Sequence, residues 1–142
     1  EHDETGHITE SMQVRNTFVE KRLKKQNLLE QNMTEPELIG PDDYKTLVLC
    51  WGSTYHAAKE ALAECGRDDL AILHFSQVYP LPASTSEYLE KAEKLAVAEG
   101  NATSQFGQLV KIATGIDIPL RILKYSGISF SVEELVEKFK NL

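Results

Sequence analysis

The stretch T-L-V-L-C-W-G-S-T-Y-H-A-A-K-E-A-L, residues 46–62, decides how this chain folds. Thr46 to Trp51 is almost continuously apolar, the pattern of a strand covered on both sheet faces. Gly52 stops the run, Ser53 and Thr54 follow, and an alanine-rich helical segment begins. A helix N-terminus attracts anions. However, neither the P-loop pattern G-x-x-x-x-G-K-[ST] nor the dinucleotide pattern G-x-G-x-x-G is present. The joint therefore reads first as a helix cap, with Ser53 or Thr54 stabilising the first turn by ~1 kcal/mol. Gly52, Ser53 and Thr54 are retained as anion or interface candidates.

The same alternation continues downstream. Residues 54–65 read as a helix stopped by Gly66. Leu70 to Phe75 is a second apolar strand, and Pro80 and Pro82 punctuate the loop after it. Residues 84–94 read as a helix, 95–99 as a strand, 102–114 as a helix and 120–125 as a strand. Ser131-Val132-Glu133-Glu134 is a capping box opening the last helix, whose apolar side is Leu135, Val136 and Phe139. Strand–helix alternation of this kind implies an open, mainly parallel sheet with helices on both faces.

Upstream, Pro36, Gly40 and Pro41 bracket Glu37-Leu38-Ile39, a candidate short edge strand. Residues 9–33 read as a helix that Thr9 caps, with Met12, Phe18, Val19, Leu23 and Leu29 on one apolar stripe. That stripe needs a cover, either the domain that follows or another chain. Residues 1–8 read as a flexible or partner-dependent lead-in. The expected division is a linker and helix over 1–35 and an α/β domain over 36–142. The chain opens without Met, which reads as a fragment or a processed product.

Composition narrows the function. Hydrophobic residues make up 42% of the 142, enough for an ordinary core. Asp and Glu outnumber Lys and Arg by 22 to 15, a net charge of -7 that weighs against nucleic-acid binding. The basic run E-K-R-L-K-K, residues 20–25, reads as a solvated helix face. No apolar window is long enough to span a membrane. Cys50 and Cys65 form no C-x-x-C pair, which argues against a zinc or iron–sulfur site in this chain. Cys50 reads as a small buried hydrophobe, and the cysteine usage suits a reducing cytoplasm.

Other candidates are weaker. His2, Asp3, Glu4 and His7 are potential metal ligands, but nothing evident pre-organises them. His56 and His74 are lone histidines, and His74 lies near a strand's carboxyl end, where open α/β sheets place their sites. In A-E-G-N-A-T-S-Q-F-G, residues 98–107, Asn101 and Gln105 are candidates to face a partner or ligand. The plainer reading is a strand–turn–helix joint with polar caps.

The order W-G-S-T, Q-V-Y-P-L-P, V-A-E-G-N-A-T-S-Q-F-G, L-K-Y-S-G-I-S-F-S-V-E-E-L resembles the C-terminal part of the alpha subunit of 2-oxoacid:ferredoxin oxidoreductases. E-H-D-E-T-G-H-I-T-E with V-E-K-R-L-K-K resembles the connection from the preceding pyrimidine-binding domain. The resemblance covers nearly the whole chain. It implies a transketolase C-terminal-like fold: three layers, α/β/α, around a mixed five-stranded sheet with one antiparallel edge strand, for which Leu38-Ile39 is the candidate. It further implies an enzyme that uses thiamine diphosphate, Mg²⁺ and iron–sulfur clusters to decarboxylate a 2-oxoacid, passing electrons to ferredoxin and the acyl group to coenzyme A. Implied partners are a beta subunit and the preceding domain. The family's G-D-G diphosphate signature and cluster cysteines are missing, so no cofactor and no catalytic residue are expected within this chain. The rival expectations are a ligand-sensing module that holds a nucleotide or coenzyme A phosphate after Gly52 and Gly100, and the C-terminal domain of another thiamine enzyme.

Overall fold

Val48, Leu49 and Cys50 are wholly shielded from solvent, and the molecule is organised around the strand that carries them. The computed structural model describes residues 1–142. Its elements are helix α1 (Met12–Gln31), strands β1 (Glu37–Ile39) and β2 (Thr46–Trp51), helix α2 (Tyr55–Glu64), strand β3 (Leu70–Phe75), helix α3 (Thr85–Lys91), strand β4 (Lys94–Glu99), helix α4 (Gln105–Thr114), strand β5 (Leu120–Leu123) and helix α5 (Val132–Lys140). The chain divides into two compact units, Glu1–Met33 and Thr34–Leu142.

The larger unit holds a five-stranded sheet ordered β1-β3-β2-β4-β5. β1 runs antiparallel to β3, with Leu38 opposite Leu73. The other pairings are parallel. The edge strand expected at Leu38-Ile39 is therefore present and antiparallel. Side chains alternate between the faces of a strand, which builds two cores. Val48, Cys50, Leu70, Ile72, Ala96 and Ala98 pack under Ala58 and Ala61 of α2 and Leu135 and Phe139 of α5. On the opposite face Leu47, Leu49, Leu73, Phe75 and Val97 meet Leu89 of α3 and Phe106 and Val110 of α4. Each fully buried Leu or Phe contributes roughly 1.5–3 kcal/mol. The result is the expected three-layer α/β/α architecture.

Arg67, in the α2–β3 turn, ties three segments together. It meets both oxygens of Asp69 at 2.9 and 2.8 Å, the Thr46 hydroxyl at 2.9 Å and the Phe139 carbonyl at 3.1 Å. This guanidinium holds the Asp69 carboxyl below the usual carboxylate range. The α5 capping box forms as read, with the Glu134 amide donating to Ser131 Oγ at 3.2 Å and the Ser131 amide donating to Glu134 Oε2 at 2.9 Å.

Several element boundaries differ from the sequence reading. α2 begins at Tyr55 because residues Gly52–Thr54 form a tighter 3₁₀ turn. α3 ends at Lys91, since Lys94 is drawn into β4, its amide bonding the Lys45 carbonyl at 3.0 Å. α4 starts at Gln105 rather than 102, because Ser104 is left-handed at φ 55°. β5 stops at Leu123, and the Lys124 amide closes on the Glu99 carbonyl at 3.2 Å.

The smaller unit departs further. Ser11, not Thr9, caps α1, accepting from the Val14 amide at 3.4 Å. No α1 residue is buried. At about 100° per residue, Met12, Phe18, Val19, Leu23 and Leu29 fall within one arc of about 140°, so the expected stripe lies on one face and is unburied. The lead-in is also more ordered than expected. His2 bridges Ile8, and Asp3 Oδ1 accepts from the Thr5 hydroxyl at 2.6 Å and the His7 amide at 3.0 Å. These donors hold the Asp3 carboxyl below its ordinary range.

Candidate functional site

In an open α/β sheet, ligands bind beyond the carboxyl ends of strands where the strand order reverses. Here β2 is followed by β3 on one side and β4 lies on the other, so the reversal falls between β2 and β4. The loops leaving these two strands, together with the loop after β5, enclose a cleft of about 480 Å³. Trp51, Ser53, Thr54 and Ala57 line one wall, Gly100 the middle, and Lys124, Tyr125 and Gly127 to Phe130 the other.

The first wall is lightly bonded. Gly52 sits at φ 58°, which lets the chain turn sharply into the 3₁₀ segment. Thr54 precedes α2, but no side chain bonds the helix's free amides, so the expected cap is not formed by Ser53 or by Thr54. Thr54 is itself helical in its backbone, φ -71° and ψ -14°. A capping hydroxyl needs an extended residue there. Both residues line the cleft, and neither hydroxyl bonds a protein group.

The second joint is densely bonded. Glu99 ends β4 wholly buried. Its carboxylate accepts from the Phe106 amide at 2.9 Å, the Gly107 amide at 3.2 Å and Asn101 Nδ2 at 2.6 Å. A buried polar group is tolerated where it is hydrogen-bonded, and the first turn of α4 supplies both amides. Asn101 Oδ1 in turn accepts from the Thr103 and Gln105 amides at 3.1 and 3.2 Å. This turn holds Ser104 left-handed, with its buried hydroxyl unpartnered. Gly107 is required here, since a Cβ would lie 2.5 Å from Ser104 Oγ.

Across the cleft, Lys124 Nζ donates to the Ser129 carbonyl at 2.8 Å and to Glu134 Oε2 at 2.5 Å. This ion pair holds the Glu134 carboxyl below its usual range. Tyr125 and Ile128 are largely exposed on the rim.

The structure thus brings together only part of the candidate set. Ser53 and Thr54 share the cleft with Gly100, whereas Gly52, Asn101 and Gln105 are not among its walls. Asn101 is occupied with holding its turn. The reading of the sequence missed Glu99 and Lys124. The signal for Glu99 was an apolar run closing on an acid, L-A-V-A-E, with a glycine eight residues later. Cys50 is buried, and burial pushes its thiol up to about 12. No three His, Cys, Asp or Glu side chains converge as a metal cage. No helix is long and apolar enough to cross a membrane.

No family profile matches the chain. Individual proteins do. The alpha subunit of 2-oxoacid:ferredoxin oxidoreductase 1 from Sulfurisphaera tokodaii is 33% identical over 141 residues, covering 96% of this chain and 22% of that subunit. The corresponding Aeropyrum pernix subunit is 34% identical over 146 residues, covering 96% of the chain and 23% of the subunit. Among solved structures, the 2-oxoglutarate:ferredoxin oxidoreductase of Magnetococcus marinus, determined with 2-oxoglutarate, coenzyme A and succinyl-CoA bound, superimposes with a TM-score of 0.77 at 25% identity. That match covers 99% of this chain and 25% of the other. The chain spans between a fifth and a quarter of the relatives it matches. Across nearly all its own length, it is a homologue of one segment of the 2-oxoacid:ferredoxin oxidoreductase alpha subunits.

Proposed function

We propose that this chain is the C-terminal domain of the alpha subunit of a thiamine-diphosphate-dependent 2-oxoacid:ferredoxin oxidoreductase, and that its work is to scaffold that enzyme. The observation that carries this reading is the similarity over 141 aligned residues, 96% of this chain, to an alpha subunit of which it covers 22%. The whole enzyme would oxidatively decarboxylate a 2-oxoacid to an acyl-CoA and reduce ferredoxin, with the cofactor as electron sink and protein supplying orientation. Thiamine diphosphate, Mg²⁺ and the clusters would be held by the remaining domains and the beta subunit. What supports a scaffolding part is how the polar groups at the carboxyl edge are spent. The Glu99 carboxylate, the Asn101 amide and the Lys124 ammonium are engaged in holding loops. The test is calorimetric titration of the chain with thiamine diphosphate and Mg²⁺. Little heat is expected, and stoichiometric binding would overturn the reading.

A second reading rests on the cleft. Ser53 and Thr54 present unpartnered hydroxyls beside the uncapped start of α2, an arrangement that suits a phosphate group. A thermal-shift screen with phosphate ligands examines it. A shift that survives the Ser53→Ala/Thr54→Ala double variant would remove the location.

A further inference from the structure

Six large apolar side chains are exposed on the Thr34–Leu142 unit, and three of them, Trp51, Tyr125 and Ile128, line the cleft at the sheet's reversal point. Tyr125 and Ile128 are each 73% exposed. Scattered singly, such residues are ordinary surface. Gathered on one concavity, they mark a binding surface.

The loop that carries Tyr125 and Ile128 is tied at both ends. At its start the Lys124 amide donates to the Glu99 carbonyl at 3.2 Å, and at its end the Ser131 amide donates to Glu134 Oε2 at 2.9 Å. Lys124 Nζ joins the two ends by donating to Glu134 Oε2 and to the Ser129 carbonyl. Two apolar side chains are thus fixed in water by an ion pair and a capping box. Anchors ordered before contact lose little freedom on binding.

The charges say what kind of surface fits. Of the eleven residues around the cleft only Lys124 is charged, in a chain where 26% of residues are. Its ammonium is already matched by Glu134. Aromatic side chains with charges depleted make up the core of a protein interface. The chain outside supplies the occupant, since the alpha subunits it resembles are covered to only 22 and 23% of their length. We propose that the cleft between Trp51 and the Tyr125–Ile128 loop docks an uncharged, apolar segment from the part of the alpha subunit that lies outside this chain. This rests on the reading of the chain as one domain of that subunit, and it names the surface through which the domain is held.

Hydroxyl-radical labelling compares the free chain with the same chain inside the whole alpha subunit. Tyr125 and Ile128 should be labelled at least about five times more slowly in the subunit, as buried anchors are. A Tyr125→Ala/Ile128→Ala double variant gives a second measure. Both residues are exposed, so the free variant chain should melt within about 2 °C of the parent. The variant subunit should melt several degrees below its parent. If labelling changes elsewhere on the chain but not at Tyr125 and Ile128, this docking site is wrong while the domain reading stands. If labelling changes nowhere, both fall. Two further results overturn the proposal by giving the cleft another occupant. One is a dimer of the free chain that the double variant dissolves. The other is slowed labelling of Tyr125 and Ile128 in the free chain on adding inorganic pyrophosphate.

Discussion

The two joints that flank the sheet's reversal point read alike in sequence and are held by opposite means. After β2, Trp51-Gly52-Ser53-Thr54 turns into its helix through a 3₁₀ segment with no side chain bonding the free amides. After β4, Glu99 to Phe106 is closed by a buried carboxylate with three donors and an asparagine with two acceptor contacts. Both contain a glycine, hydroxyl residues and a helix start. The difference lies in what precedes them: Trp51 is partly exposed at its strand's end, whereas Glu99 is buried at the end of its own. A buried acid must find donors, and the first turn of a helix is the nearest supply. An exposed strand end imposes no such demand, and its helix start is held by backbone alone, the Tyr55 amide donating to the Gly52 carbonyl.

The strongest way to break this contrast is to remove the carboxylate. Glu99→Ala leaves the Phe106 and Gly107 amides buried without their acceptor, and should cost about 3–5 kcal/mol. Glu99→Gln keeps one acceptor oxygen and should lose roughly half as much. Chemical denaturation measures both. A loss under 1 kcal/mol for the alanine variant would mean the carboxylate is not what closes the second joint.

Gly107→Ala sharpens the same joint. Alanine normally helps a helix by up to ~1 kcal/mol over glycine. Here its Cβ would sit 2.5 Å from Ser104 Oγ and 3.3 Å from Val97 Cγ1, so the sign should reverse to a net loss of about 2 kcal/mol. Ser104→Gly should rescue most of that loss. It removes the clashing hydroxyl, which has no partner to lose, and relieves a left-handed serine. Without the rescue, the loss comes from elsewhere in α4.

Asn101 is the next lever. Asn101→Ala removes the bonds to the Thr103 and Gln105 amides and to Glu99, in a partly exposed turn, and should cost about 1–2 kcal/mol. Asn101→Asp should cost more, because it sets a second carboxylate where a donor now lies 2.6 Å from Glu99 Oε2. Thermal unfolding of the pair gives the order. Equal losses would show that the Asn101–Glu99 bond carries nothing.

The sheet was the most legible part of the sequence. Thr46–Trp51 and Leu70–Phe75 came out at their residue bounds because an uninterrupted apolar run has one reading when both faces are covered. Helix starts were less legible, and for a common cause. Residues 102–104 read as helix because alanine, threonine and serine permit one. What holds them out is Asn101 and Glu99, whose roles depend on burial that sequence spacing does not display. Lys94 was lost to a helix for the same reason, as its strand identity comes from pairing with the carbonyl of Lys45, far away in the chain. In α1 the five apolar residues share one face as read, and Met12, Leu23 and Leu29 on it are exposed. At the candidate site, Ser53 and Thr54 were singled out as the residues of interest, yet the capping role given to them was local chemistry that the 3₁₀ turn forbids.

The smallest expected effect is the one that most directly separates the two joints. If Ser53 and Thr54 capped α2, replacing them with alanine would cost about 1 kcal/mol. With Thr54 helical and neither hydroxyl bonded, Ser53→Ala and Thr54→Ala should each stay within ±0.5 kcal/mol, the range of surface changes that break nothing. A near-zero result leaves the first joint structurally idle, so that any affinity its hydroxyls show for a phosphate would be a property they hold for binding alone. A loss near 1 kcal/mol would instead mean that the hydroxyls cap the helix in solution. The cleft would then have no free donors on that wall, and the two joints would differ in degree of bonding rather than in kind.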